Sequence, residues 1–127
     1  TLDSQLFDDM GMTATTSANF GTTSSQKNVT ITNGTHPMAG GLSGTIQVTT
    51  SNTKFAWGKP NANAAKIATL TSDSTKSTDF GYDSGVVMPG LTAPARRVGF
   101  FYTASSSNLT ANGGVLFDNA IKWAAGL

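Results

Sequence analysis

The run Arg97-Val98-Gly99-Phe100-Phe101-Tyr102, followed after a Ser-rich loop by an amphipathic helix, constrains this chain more than any other stretch. Val98, Phe100, Phe101 and Tyr102 are β-branched or aromatic, the residue types that fit a pleated, half-buried surface. Apolar side chains at both parities predict an interior strand covered on each face. In the helix, Leu116, Phe117, Ala120, Ile121 and Ala124 recur at the i, i+1, i+4, i+5, i+8 spacing of one face. Asp118, Asn119 and Lys122 fall on the other side, with Asp118 and Lys122 a favourable i, i+4 pair. Thr110 or Asn112 suits the N-cap, and Gly126 suits the stop. Gly113 and Gly114 weaken the helix by up to about 1 kcal/mol each. They are expected where backbone must approach backbone. Burial of Leu116, Phe117 and Ile121 is expected to contribute roughly 1.5–3 kcal/mol per side chain.

The other segments are short strands that need this pair to pack against. Leu2, Leu6, Phe7, Met10 and Met12 within Thr1–Met12 suggest a strand end and a short helical turn closed by Gly11. Thr13–Gln26 reads as a polar loop anchored by Phe20. Lys27–Thr32 alternates cleanly, with Val29 and Ile31 inward, and stops at Asn33-Gly34. Gly44–Thr50 alternates likewise, with Ile46 and Val48 inward. The glycine-rich connection between them, His36 to Leu42, is too long for a tight hairpin. Phe55–Gly58 is a strand halted by Lys59-Pro60, and Ala64–Leu70 is an interior strand. Phe80–Tyr82 and Val86–Met88 flank Asp83-Ser84-Gly85, a hairpin signal. The fold class is α+β or α/β: a mainly β mixed sheet with one C-terminal amphipathic helix packed on it, or alternatively a β-sandwich. Residues 1–127 suffice for a single domain and core. A start at Thr1 without Met reads as a segment of something longer.

Charge and cysteine usage exclude several function classes. Only 12% of residues are charged and the net charge is +1. No basic cluster exists beyond Arg96-Arg97, which argues against nucleic-acid binding. No apolar run is long enough for a membrane span. The absence of cysteine removes disulfides, thiolate nucleophiles and zinc–thiolate sites together. Gly40-Gly41 and Gly113-Gly114 do not form a phosphate loop, and no cofactor is expected. Low charge with Thr, Ser and Asn dominating the loops points to a secreted bacterial protein. The sequons at Asn28, Asn33 and Asn108 read as incidental in so Asn- and Thr-rich a chain.

Several stretches carry a family likeness. They are Leu6-Phe7-Asp8-Asp9-Met10-Gly11-Met12-Thr13, Thr35-His36-Pro37-Met38-Ala39-Gly40-Gly41-Leu42 and Ala65-Lys66-Ile67-Ala68-Thr69-Leu70. Further on come Phe80-Gly81-Tyr82-Asp83-Ser84-Gly85, Ala95-Arg96-Arg97-Val98-Gly99-Phe100-Phe101 and Leu116-Phe117-Asp118-Asn119-Ala120-Ile121-Lys122-Trp123-Ala124. In this order they resemble the C-terminal part of class I glutamine amidotransferase-like domains, flavodoxin-like modules of secreted bacterial proteins. The family's Rossmann-like first half and its catalytic Cys have no counterpart here, so the resemblance implies fold and context, not glutaminase activity. It also implies an open sheet that must be covered, by association or by a more β arrangement.

Candidate chemistry is sparse. His36, the sole histidine, is the only base for a Ser-His-Asp arrangement, but His-Pro before a glycine turn reads as a structural corner. Asp3, Asp8 and Asp9 offer oxygen ligands for calcium without a D-x-D-x-D-G loop, so capping and solvation are the plainer reading. Adjacent carboxylates on a strand point to opposite faces, which speaks against a glycosidase pair. Arg96 or Arg97 is expected to pair with Asp83 or Asp9. Trp57, Tyr82, Tyr102 and Trp123 carry polar handles; sugar-binding modules stack pyranose faces on such rings. Trp57, Lys59, Asn61 and Tyr82 are therefore the candidate carbohydrate-binding residues.

The function expected is a non-catalytic extracellular accessory module that binds polysaccharide for an attached carbohydrate-active enzyme. A structural or self-assembling surface protein, a homo-oligomer through an exposed sheet edge, is the alternative. A hydrolase using His36 comes third.

Overall fold

The computed structural model describes residues 2–102 and 106–127, with the side chains of Leu2, Asp3 and Ser106 left undescribed. Helix α1 (Leu2–Asp9) opens the chain, and strands β1 (Phe20–Gln26), β2 (Asn28–Ile31), β3 (Gly44–Gln47), β4 (Thr53–Gly58), β5 (Ala65–Leu70), β6 (Ser77–Tyr82) and β7 (Arg97–Phe100) follow. Helix α2 (Ala111–Ala124) closes it. The sheet runs β1-β4-β6-β5-β2-β3, with β7 joined to β6. Every pair of named strands is antiparallel. The protein is thus a mainly β, α+β fold with the C-terminal helix packed on the sheet, and the sheet is antiparallel, not mixed.

The two faces of the sheet carry separate cores. On one, Val29, Met38, Phe55, Trp57, Ile67, Leu70 and Phe101 pack with Leu116, Ala120 and Trp123 of α2. On the other, Phe7 of α1 packs with Met12, Ala56, Phe80, Tyr82 and Met88. The alternation expected for 27–32 and the interior position of 64–70 both appear, since β5 lies between β6 and β2. β2 and β3 pair although a 3-10 turn at Pro37–Ala39 intervenes. The helix also starts and stops where its sequence indicates. Thr110 Oγ1 accepts from the Gly113 amide, and Gly126 lies in the left-handed region.

Several expectations need correction. The strand end expected within Thr1–Met12 is absent among the described residues, where Leu2–Asp9 forms helix α1. The polar stretch 13–26 contains β1, paired with β4; Gly21 leaves room there for the Trp57 ring, which would lie 2.6 Å from a Cβ. Val86–Met88 does not return along β6. Val86 and Ala93 bond each other and Val87 bridges Thr92, closing a small loop of its own, while β7 takes the place beside β6. The helix presents Gly113, Leu116, Ala120 and Trp123 to the core, leaving Phe117 and Ile121 exposed at 41% and 53%. The contact of Gly113 with the backbone at Val48 sets that rotation. Finally, β7 is not fully interior. It pairs with β6 along its length, while only the residues after it reach β4, through the Phe55–Tyr102 bridge and the Ala56 amide donating to the Phe101 carbonyl. Among the described residues, no strand pairs with its other edge over 97–100.

Candidate functional site

The open edge of β7 is the most distinctive surface of the molecule. Arg97 and Gly99 face the α1 side, where a Cβ on Gly99 would meet the Phe80 ring at 2.5 Å and Arg97 donates to the Met10 carbonyl. Val98 and Phe100 face α2, with the Phe100 and Phe117 rings 5.7 Å apart, edge to face. Two apolar grooves flank the strand. One, of about 250 Å³, is lined by Leu6, Phe7, Met10, Ala56 and Tyr102 together with Val98 and Phe100. The other, of about 180 Å³, is lined by Phe117, Ala120, Ile121 and Ala124 with the same two β7 residues. Leu6 and Met10 are 55% and 39% exposed. Scattered surface hydrophobics are ordinary, whereas these border a strand edge that has no strand partner among the described residues.

The residues expected to bind carbohydrate do not form a platform. Trp57 is only 8% exposed and belongs to the core on the α2 face. Its Nε1 donates to Thr23 Oγ1 at 3.1 Å, and Lys76 Nζ sits 4.6 Å from its ring centroid, so the ring is covered where a sugar would stack. Tyr82 is buried in the opposite core. Its hydroxyl donates to the Met12 carbonyl and accepts from the Asn61 amide, and burial pushes its pKa up. Asn61 also donates its side-chain amide to the Val87 carbonyl. Lys59 is half-buried, with its backbone amide bound to the Asn19 carbonyl. Asn61 and Tyr82 are thus brought together, while Trp57 lies across the sheet from them.

A polar cleft of about 350 Å³ lies apart from these residues. It is lined by Ser25, Gln26, Lys27, Asn28, Asn52, Thr71 and Ser72. Ser25 has φ +58, a rare conformation for a residue other than glycine, and it falls inside the register shift between Thr23 and Gln26. Only hydroxyl and amide side chains in neighbouring loops signal such a cleft. They are too common here to single out.

His36 serves as a corner. Its Nδ1 accepts from the Met38 amide at 3.1 Å, capping the 3-10 turn, and its ring meets Trp123 edge to face at 5.4 Å. Arg96 lies over the other part of this cluster. Its Nε donates to Asp83 Oδ1 at 2.9 Å, its Nη1 donates to the Trp123 carbonyl, and its guanidinium is 4.6 Å from the Trp123 ring. Burial first, and the Arg96 charge second, hold the His36 pKa below its usual value, against a small upward pull from Asp83. The hydrogen bond from Arg96, then the Ser84 amide, hold the Asp83 carboxyl low. Every one of these groups has its partner inside the fold, so the cluster pins α2 to the sheet end. Asp8 and Asp9 end α1, and Asp3 lies outside the described side chains; no group of metal-ligating side chains gathers among the described residues. No described helix is long and apolar enough to cross a membrane.

No family model, curated protein or solved structure matches this chain.

Proposed function

We propose that the protein is a secreted, non-catalytic assembly domain that associates with a second copy of itself through the open edge of β7. The carrying observation is a β7 edge that pairs with no strand over 97–100 among the described residues, together with two apolar grooves that share Val98 and Phe100 of that strand. Backbone groups on the edge supply hydrogen bonds, and Leu6, Met10, Phe117 and Ile121 supply burial. A net charge of +1 offers little self-repulsion. Two antiparallel β7 edges satisfy an isologous two-fold contact. Light scattering across a wide concentration range tests it. The native chain should form dimers or larger species that Phe117→Asp and Ile121→Asp disperse without unfolding; a folded chain that stays monomeric throughout overturns the reading.

Polysaccharide binding is a second reading on a different observation, the hydroxyl- and amide-lined cleft around Lys27. Such groups bond sugar hydroxyls, though this cleft has no aromatic lining. Retardation in gels containing soluble glucans, lost in Lys27→Ala and retained in Lys59→Ala, supports it. No retardation removes it.

A further inference from the structure

Asp79 occupies a position that neither reading uses. It lies in β6, opposite Ala68 of β5 and Phe100 of β7, and it is fully buried. Strand alternation places it on the same face as Gly81, where a Cβ would touch Trp123 of α2 at 2.8 Å. The carboxyl therefore lies beneath the helix. Neither carboxyl oxygen has a hydrogen-bond donor among the described residues. An ionised carboxylate without donors is among the most expensive groups to bury, whereas a neutral carboxylic acid is far cheaper.

The charged groups on the surrounding elements do not offset that cost. On α2, Asp118 and Lys122 are exposed. On β5, Lys66 is exposed, and on β4 so is Lys54. The Arg97 side chain reaches Met10 on the far face. His36 and Arg96 engage Trp123 and Asp83. Burial alone pushes the Asp79 carboxyl well above the ordinary aspartate range, with no contribution from a charge.

We propose that Asp79 is stored in the core as a neutral carboxylic acid and makes the packing of α2 over β6 and β7 a proton-dependent latch, closed in acid and loosened as pH rises. The sign follows from linkage. A carboxyl that holds its proton more tightly when folded stabilises fully below the unfolded pKa, near 3.8, and that contribution is lost progressively as pH rises towards the folded value. Because Phe100 is the direct partner of Asp79, the latch sits beside the β7 edge.

The test pairs a titration with a variant. In protein carrying 13C-labelled aspartate carboxyls, the Asp79 resonance, assigned by its loss in Asp79→Asn, should stay at the protonated position well above the pH at which a free aspartate ionises. In thermal melts from pH 4 to pH 8, the melting temperature of Asp79→Asn relative to the native chain should rise by several degrees, since the amide cannot ionise. A resonance titrating near 3.8, or a melting-temperature difference independent of pH, overturns the proposal. If Asp79→Asn does not fold, resonance assignment through the backbone of the native chain leaves the titration decisive.

Discussion

Gly113 brings α2 so close to the sheet that a Cβ on it would lie 2.2 Å from the carbonyl oxygen of Val48. The same carbonyl accepts from the Thr110 amide, so the helix start is docked on backbone. Gly114, one residue later, has nothing within 4 Å of its Cβ position. Opposite effects follow from adjacent glycines. Gly113→Ala should destabilise by about 1–3 kcal/mol through forced separation of backbone from backbone. Gly114→Ala should stabilise by up to about 1 kcal/mol through helix propensity. Urea denaturation of both variants checks the pair, and equal effects would remove the close-approach argument.

Trp57 should behave as a core residue. Its burial and its bond to Thr23 predict that Trp57→Ala costs about 3–5 kcal/mol of stability. Loss of Lys76 from the ring face should cost only about 0.5–1 kcal/mol in Lys76→Ala. Denaturant midpoints for the two variants give the comparison. A fully stable Trp57→Ala protein would return Trp57 to the surface.

Legibility of the fold followed how strongly each segment was patterned. β2, β4 and β5 carry apolar or alternating side chains, and Thr110 with Gly126 marks the helix ends, so these were readable. β1 was not, because Phe20-Gly21-Thr22-Thr23-Ser24-Ser25-Gln26 has no apolar alternation; its pairing comes from β4, whose Trp57 needs Gly21 beneath it. Two rows of α2 were equally periodic, Leu116-Ala120 with Trp123 and Phe117-Ile121. Only the tertiary contact at Gly113 decides between them. The β7 edge was expected as interior because both its faces are apolar. The structure shows that apolar faces do not imply paired edges. Asp79 gave no signal at all, since a lone aspartate among Ser and Thr reads as solvated.

His36 makes an acid-side prediction opposite in sign to that of Asp79. Its folded pKa lies below 6.5 because burial and Arg96 oppose the charged form. A histidine that resists its proton when folded contributes stability that is complete above the unfolded pKa and lost as pH falls through the folded value. Protonation also removes the Nδ1 acceptor that caps the turn. Melting temperatures between pH 7 and pH 5 should therefore fall more steeply for the native chain than for His36→Asn, which keeps an acceptor. Parallel curves would exclude His36 as the source.

The rotation of α2 yields a direct test of which row faces the core. Leu116 is fully buried, while Phe117 projects beside Phe100 into the open groove. Leu116→Ala should cost about 2–5 kcal/mol because it leaves a cavity among packed neighbours. Phe117→Ser in dilute, monomeric protein should cost less, about 0.5–1.5 kcal/mol, chiefly through loss of the edge-to-face contact with Phe100. At concentrations where copies associate, the ranking should reverse in the assembly readout, with Phe117→Ser weakening association because its ring lines the groove beside β7. Equal stability losses in the dilute protein would mean that the helix packs on the Phe117 row after all, and the groove proposed as the contact surface would close.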